Sequence, residues 1–178
     1  MRHLIIPSIS VLFLFLFCTS CIGTWAQSSE QKLVQLRIVL PTVQEVNGSY
    51  VDMTRVGNLI FLSGKGPLQA NGEYIKGKVG SDLTIEQGYA AARLTAVNQL
   101  AVLKKVLGDL KKIKRIVKVN GYVNSASNFY DQPKVVNGFS DLLIEIFGEA
   151  GRHARTSIGT AALPMNMAIE VEMIIEIE

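Results

Sequence analysis

The strongest pattern in the chain lies at its end. Ile169, Val171, Met173, Ile175 and Ile177 alternate with Glu170, Glu172, Ile174 and Glu176. A period of two sends the apolar set to one face of a strand and the acidic set to the other. Before it, Arg155 heads a strand of small residues that stops at the turn Leu163-Pro164. Ile116 to Val123 reads as a third strand, with Val117, Val119 and Val123 on one face, and Asn58 to Leu62 as a short apolar strand ending in Ser63-Gly64. Val34 to Leu40 alternates as an edge strand does and is halted by Pro41. Asn47-Gly48-Ser49 is a turn signal, and glycines at 64, 66, 72, 77 and 80 punctuate a long loop to Asp82.

Two segments have the helical period instead. Thr84-Ile-Glu-Gln87 has the form of a capping box: the threonine hydroxyl accepts from the amide three residues on, and the glutamine reaches back. Behind it, Ala90, Leu94, Val97 and Ala101 repeat at helical spacing, as do Ala96, Leu100, Leu103 and Leu107, up to a stop at Gly108. A second helix runs from about Pro133 to Phe147, with Phe139, Leu142, Leu143 and Ile146 inward, and Gly148 and Gly151 end it. Strands, helix, strand, helix, strands, with no internal repeat, predict an α+β fold with two helices on one face of a mixed sheet. The other sheet face is left uncovered, which predicts partner subunits.

The first residues do not belong to that fold. Arg2, the apolar run from Leu4 to Phe17 and the small-x-small site Thr24-Trp25-Ala26 read residues 1–26 as an export signal, leaving a domain over 27–178. The run is shorter than the roughly 20 residues of a membrane span, so no span is expected once it is removed; a retained N-terminal anchor is the alternative. Cys21, after Cys18-Thr19-Ser20, also offers a loose lipobox and hence a lipid anchor. The expected location is periplasmic or secreted. Both cysteines lie inside this signal and His153 is the one histidine outside it, so neither a disulfide framework, a thiolate nucleophile nor a metal site is expected. Of 18 basic residues Arg2 is lost with the signal, and 17 against 15 acidic is too balanced for a nucleic-acid scaffold. The basic run Lys111-Lys112-Ile113-Lys114-Arg115 reads as a solvated approach to a strand.

Arg155 and Glu170 are the candidate chemistry. The Leu163-Pro164 turn is expected to fold the last two strands side by side, with the two residues facing each other across a cleft. A guanidinium grips a planar carboxylate with two parallel hydrogen bonds, and a carboxylate activates water. A site for a small carboxylate-bearing substrate is one reading; a plain structural salt bridge, or a wet acidic face on the last strand, is the other.

The segments "NGSYVDMTRVGNLIFLSGKGPL", "RIVKVNGYVNSASNFYDQPKVVNGFSDLLIEIFGEAG" and "ARTSIGTAALPMNMAIEVEMIIEIE" resemble the RidA (YjgF/YER057c/UK114) family over about residues 34–178. The glycine-rich "GKVGSDLTIEQGYAAARLTAVNQLA" looks like one of its less-studied branches. The resemblance implies a chorismate-mutase-like α+β fold, a homotrimer with sites between subunits, no cofactor, and hydrolysis of enamines and imines such as 2-aminoacrylate to 2-oxo acids and ammonia. Arg155 matches the arginine that holds the substrate carboxylate, and Glu170 the glutamate that orients the hydrolytic water. Tyr50 falls at a tyrosine lining the cleft, Gly64 at the glycine after the site strand, Asn137 at a helix asparagine near the pocket, and Ser157 where many members have a cysteine.

Three features depart from the family pattern. His153-Ala154-Arg155 replaces the usual Pro-Ala-Arg, the loop before it is about one residue longer, and an export signal precedes the domain. The functional expectation is therefore an enamine/imine deaminase-like hydrolase. A non-catalytic binder of small carboxylates in the same inter-subunit cleft is the alternative, and an endoribonuclease the third. RNA cleavage draws on histidine bases, and one histidine remains outside the signal.

Overall fold

The computed structural model describes residues 28–46 and 48–178. The expected export signal, its cysteines and Asn47 of the turn signal lie outside the described residues. In chain order the elements are α1 (Ser29–Gln35), β1 (Met53–Val56), β2 (Leu59–Lys65), α2 (Ile85–Leu107), β3 (Ile113–Asn124), α3 (Gln132–Phe147), β4 (Ala154–Thr160) and β5 (Ile169–Ile177). Five strands form one sheet in the order β1-β2-β5-β3-β4. β3 and β4 run parallel with α3 as the crossover, and every other neighbouring pair is antiparallel. The α+β expectation holds.

The two long helices begin and end as the sequence reads. Thr84 and Gln87 cap α2 reciprocally, and Gly108 closes it at positive φ. The core lies between these helices and one sheet face. Leu100, Leu103, Phe139, Leu142 and Leu143 meet Ile60, Val119, Ile169, Val171, Met173 and Ile175, all buried. On α2 the stripe of Ala96, Leu100, Leu103 and Leu107 is the buried one; Ala90 is exposed, and Leu94 and Val97 are half-buried. Along β5 burial alternates at every residue, and the glutamates lie on the face away from the helices. That face carries no second layer among the described residues, and Phe61 and Ile158 are exposed on the sheet.

The expected edge strand over Val34–Leu40 is not formed. Ser28 and Gln31 make a reciprocal capping box that starts α1, and Val34 lies within that helix, exposed. Leu36, Ile38 and Leu40 do alternate, half-buried, but they pack on the core without pairing to any strand. The alternation marks the side of the segment that packs on the core rather than a ladder partner. Glu30 docks α1 by accepting from the Leu110 amide (2.9 Å) and from Lys104 (3.2 Å). Burial pushes its carboxyl up, but the influence of the neighbouring Asp109 side chain and these bonds outweighs burial and holds it at about 2. β1, which pairs with β2, was not foreseen.

Candidate functional site

Arg155 lies on the edge strand β4, in register with Val119 of β3, which pairs in turn with Met173 of β5. Paired residues share a sheet face, so Arg155 points to the helical side. There its Nη1 donates to Asn137 Oδ1 (2.8 Å) and Ser140 Oγ (3.0 Å), and Nη2 donates to the Pro133 carbonyl (3.5 Å). All three acceptors belong to α3, and Asn137 and Ser140 stand one turn apart on it. α3 is held there by its close approach to α2 at Gly138, where a side-chain carbon would overlap the Tyr89 carbonyl.

A guanidinium has five N–H donors. Arg155 spends three, and the Nε–Nη2 edge keeps two without an acceptor among the described residues. It forms no salt bridge among them either. The nearby carboxylate of Asp141 accepts from the Tyr89 hydroxyl (3.0 Å). Burial lowers the pKa of Arg155 and Asp141 partly restores it. Ser157, two residues along on the same face, has a buried hydroxyl without a partner. His153, just before β4, faces Ser140 through Nε2 (3.0 Å) and the Gly151 carbonyl through Nδ1 (2.6 Å).

Glu170 is in register with Tyr122 of β3 and points to the open face. Its carboxylate lies over Gly64, where any side chain would overlap it. The ladder between β2 and β5 shifts register between Leu62 and Lys65, which bares this glycine. Gln99 of α2 braces the place from the other side, donating to the carbonyls of Ser63 and Val171 (both 2.9 Å). Glu170 has no hydrogen-bond partner among the described residues. Burial raises its pKa, and the neighbouring charge of Glu172 raises it further. Glu172 is bound differently: it accepts from Asn120 (2.9 Å) and from the Tyr122 hydroxyl (3.0 Å). The acidic face is therefore no uniform wet surface.

The structure thus joins Arg155, Asn137 and Ser157 in one group, and Glu170 and Gly64 in another. It does not bring Arg155 to Glu170. β3 is inserted between β4 and β5, so the expected side-by-side packing of the last two strands is wrong, and the two residues project from opposite faces of the sheet. The salt-bridge alternative fails for the same reason. Tyr50 stands apart from both. It is exposed at the rim of a cavity of about 840 Å³ between residues 41–46, the loop after β2 and α2, whose lining includes Lys65, Tyr74, Asn98 and Met165 but neither Arg155 nor Glu170. Ser140 went unnoticed in the sequence. The signal was a polar stripe, Asn137, Ser140 and Asp141 at helical spacing, on a helix otherwise apolar inward.

Among the described residues no helix is long and apolar enough to cross a membrane, and no group of three or more His, Cys, Asp or Glu side chains is arranged to hold a metal. Residues 30–177 match a family model described as "YjgF/chorismate_mutase-like, putative endoribonuclease". The chain is 40% identical over 146 residues to the protein TCP17 of Trypanosoma cruzi, covering 82% of this chain and 91% of that one. It is 29% identical over 142 residues to a 2-iminobutanoate/2-iminopropanoate deaminase of Dermatophagoides farinae, covering 79% and 95%. Among solved structures, the protein Atu1372 of unknown function from Agrobacterium tumefaciens superimposes with a TM-score of 0.78 at 41% identity, over 84% of this chain and 94% of that one.

Proposed function

The chain belongs to the YjgF/RidA family, and on that premise we propose that it is an enamine/imine deaminase-like hydrolase acting on small carboxylate-bearing intermediates of the 2-aminoacrylate type. The observation that carries this reading is the uncommitted Nε–Nη2 edge of Arg155. Two parallel donors on a fixed guanidinium match a substrate carboxylate. The similarity to the mite deaminase points the same way.

The reaction asks little else of the protein. The enamine tautomerises to the imine, water adds to the imine carbon, and the carbon–nitrogen bond of the carbinolamine breaks. The products are a 2-oxo acid and ammonia. Glu170 suits the water: it is unpartnered, half-buried and inclined to take up a proton. Because Arg155 and Glu170 leave one sheet on opposite faces, a site holding both requires a second copy of the chain. A homotrimer whose clefts join the Arg155 group of one copy to the Glu170 group of the next meets that requirement.

One observation favours a second reading, a binding protein for small carboxylates: the Arg155 clamp is complete within a single copy. The endoribonuclease reading has less support, since His153 has both ring nitrogens engaged. Release of pyruvate and ammonia from freshly generated 2-aminoacrylate tests the proposal. The parent is expected to accelerate it, Arg155→Lys to lose most of the gain, since it keeps the charge without the fork, and Glu170→Gln to lower turnover more than affinity. A parent that binds 2-oxo acids through Arg155 without turnover makes the binding reading correct.

A further inference from the structure

We propose that His153, acting through Ser140 as a neutral imidazole, is the positioning residue that aims the Arg155 guanidinium at its ligand. The inference rests on the clamp reading of Arg155 and adds the device that sets the clamp.

It follows from where each hydrogen can go. Both Nη1 hydrogens of Arg155 are spent, one on Asn137 Oδ1 and one on Ser140 Oγ. A hydroxyl that accepts from Arg155 still has its own hydrogen to give. The ring nitrogen beside it is His153 Nε2, 3.0 Å away. The Gly151 carbonyl, 2.6 Å from Nδ1, can only accept, so the ring hydrogen sits on Nδ1 and in the neutral ring Nε2 is bare to receive the Ser140 hydrogen. Donation runs in one direction only, from Arg155 to Ser140 to His153 to Gly151. With Nη1 fixed in this way, the planar group cannot rotate, and its Nε–Nη2 edge stays turned to the ligand.

A proton added at Nε2 reverses the middle link. Ser140 Oγ then faces two donors, and a second positive charge stands beside the guanidinium. Burial is the main force against this, lowering the pKa of His153 below the ordinary 6.5; the Gly151 carbonyl opposes that shift and the Arg155 charge adds to it. Of the other charged groups around it on α2, α3 and the turn before β4, Asp141 keeps a negative charge that acts on Arg155, and the rest are in ion pairs. Asp141 on α3 takes the Tyr89 hydroxyl, Arg93 on α2 bridges Glu145 on α3, and Arg152 in the turn before β4 bridges Glu149. Arg155 is the charge that His153 answers to.

The test uses the full chain and 2-oxobutanoate, whose carboxylate stays ionised from about pH 5 to 8, the range in which histidine titrates. Calorimetry on the parent is expected to show affinity level while His153 is neutral and falling roughly tenfold as the imidazole takes up its proton at the acid end, the scale of one lost hydrogen bond to a charged group. His153→Gln offers Ser140 an acceptor that does not titrate, so its affinity should be flat with pH. Ser140→Ala should be flat and weak. A parent profile that stays flat while the imidazole nitrogen signals show His153 protonating, with binding abolished in Arg155→Lys, leaves the clamp standing and overturns the relay. A pH step that survives in His153→Gln belongs to another group, Glu170 being the first suspect, and also overturns it. If Arg155→Lys binds like the parent, the clamp and the relay both fall. Nitrogen NMR of the imidazole, assigned by its loss in His153→Gln, reads the relay without ligand. The Nδ1–H tautomer is expected in the parent and a shift toward a mixture in Ser140→Ala; an Nε2–H tautomer in the parent overturns the proposal whatever the binding data show.

Discussion

Glu170 sits where a carboxylate is poorly solvated, and that has a measurable sign. Its folded pKa is raised by burial and then by Glu172. Between the ordinary 4.5 and the raised folded value, the folded chain binds the proton more tightly than the unfolded chain, so stability falls as pH rises through that window. Glu170→Gln removes the penalty. Thermal melts should show the variant more stable than the parent at neutral pH and the gap closing below 4.5; a variant less stable than the parent at neutral pH would mean that Glu170 makes bonds the fold depends on. At this scale the sequence was informative about identity and poor about geometry. Arg155 and Asn137 fall in one group of the candidate site, Glu170 and Gly64 in the other. Their pairing was misjudged because alternation assigns faces within a strand but does not order the strands. Inserting β3 between β4 and β5 separated the two residues the turn seemed to join.

At the scale of elements, α3 is what holds an arginine on an edge strand in one orientation. It supplies Asn137, Ser140 and the Pro133 carbonyl, and it lies in close backbone contact with α2 at Gly138. Gly138 permits that contact. A side-chain carbon there meets backbone, the Tyr89 carbonyl, and backbone cannot swing aside as a side-chain tip can. Gly138→Ala should therefore cost on the order of 1–3 kcal/mol, as overpacking does, measured by denaturant unfolding. Affinity for 2-oxo acids should fall with it in the fraction that remains folded. Unchanged stability would show that the helices separate freely and that Gly138 does not fix the clamp. The helices were legible because their signals are local: the Thr84–Gln87 capping box, the apolar stripe and Gly108 all act within a turn or two. The capping box at Ser28–Gln31 is as local, but the alternation from Val34 to Leu40 imitates a strand directly behind it. β1 carried no signal of its own; its residues are mostly exposed and it exists by pairing with β2.

For the whole molecule, the opposite-facing halves make a claim about assembly that one chain cannot satisfy. If the working site takes Arg155 from one copy and Glu170 from the next, two inactive variants should repair each other. Arg155→Lys subunits keep Glu170, and Glu170→Gln subunits keep Arg155. Unfolded together in equal amounts and refolded into a closed ring, each interface draws its two halves at random, so about one interface in four pairs an intact arginine with an intact glutamate. The mixture should recover roughly a quarter of the parental turnover, while each variant refolded alone stays inactive. Light scattering on the same samples should give about three times the chain mass, the closed ring the uncovered sheet face calls for. Full inactivity of the mixture, with trimers present, would place both residues' work within one copy and make the sheet between them an obstacle the proposal cannot cross. A monomer at micromolar concentration would remove the second copy, and the hydrolase reading with it, leaving the Arg155 clamp as a binding site alone.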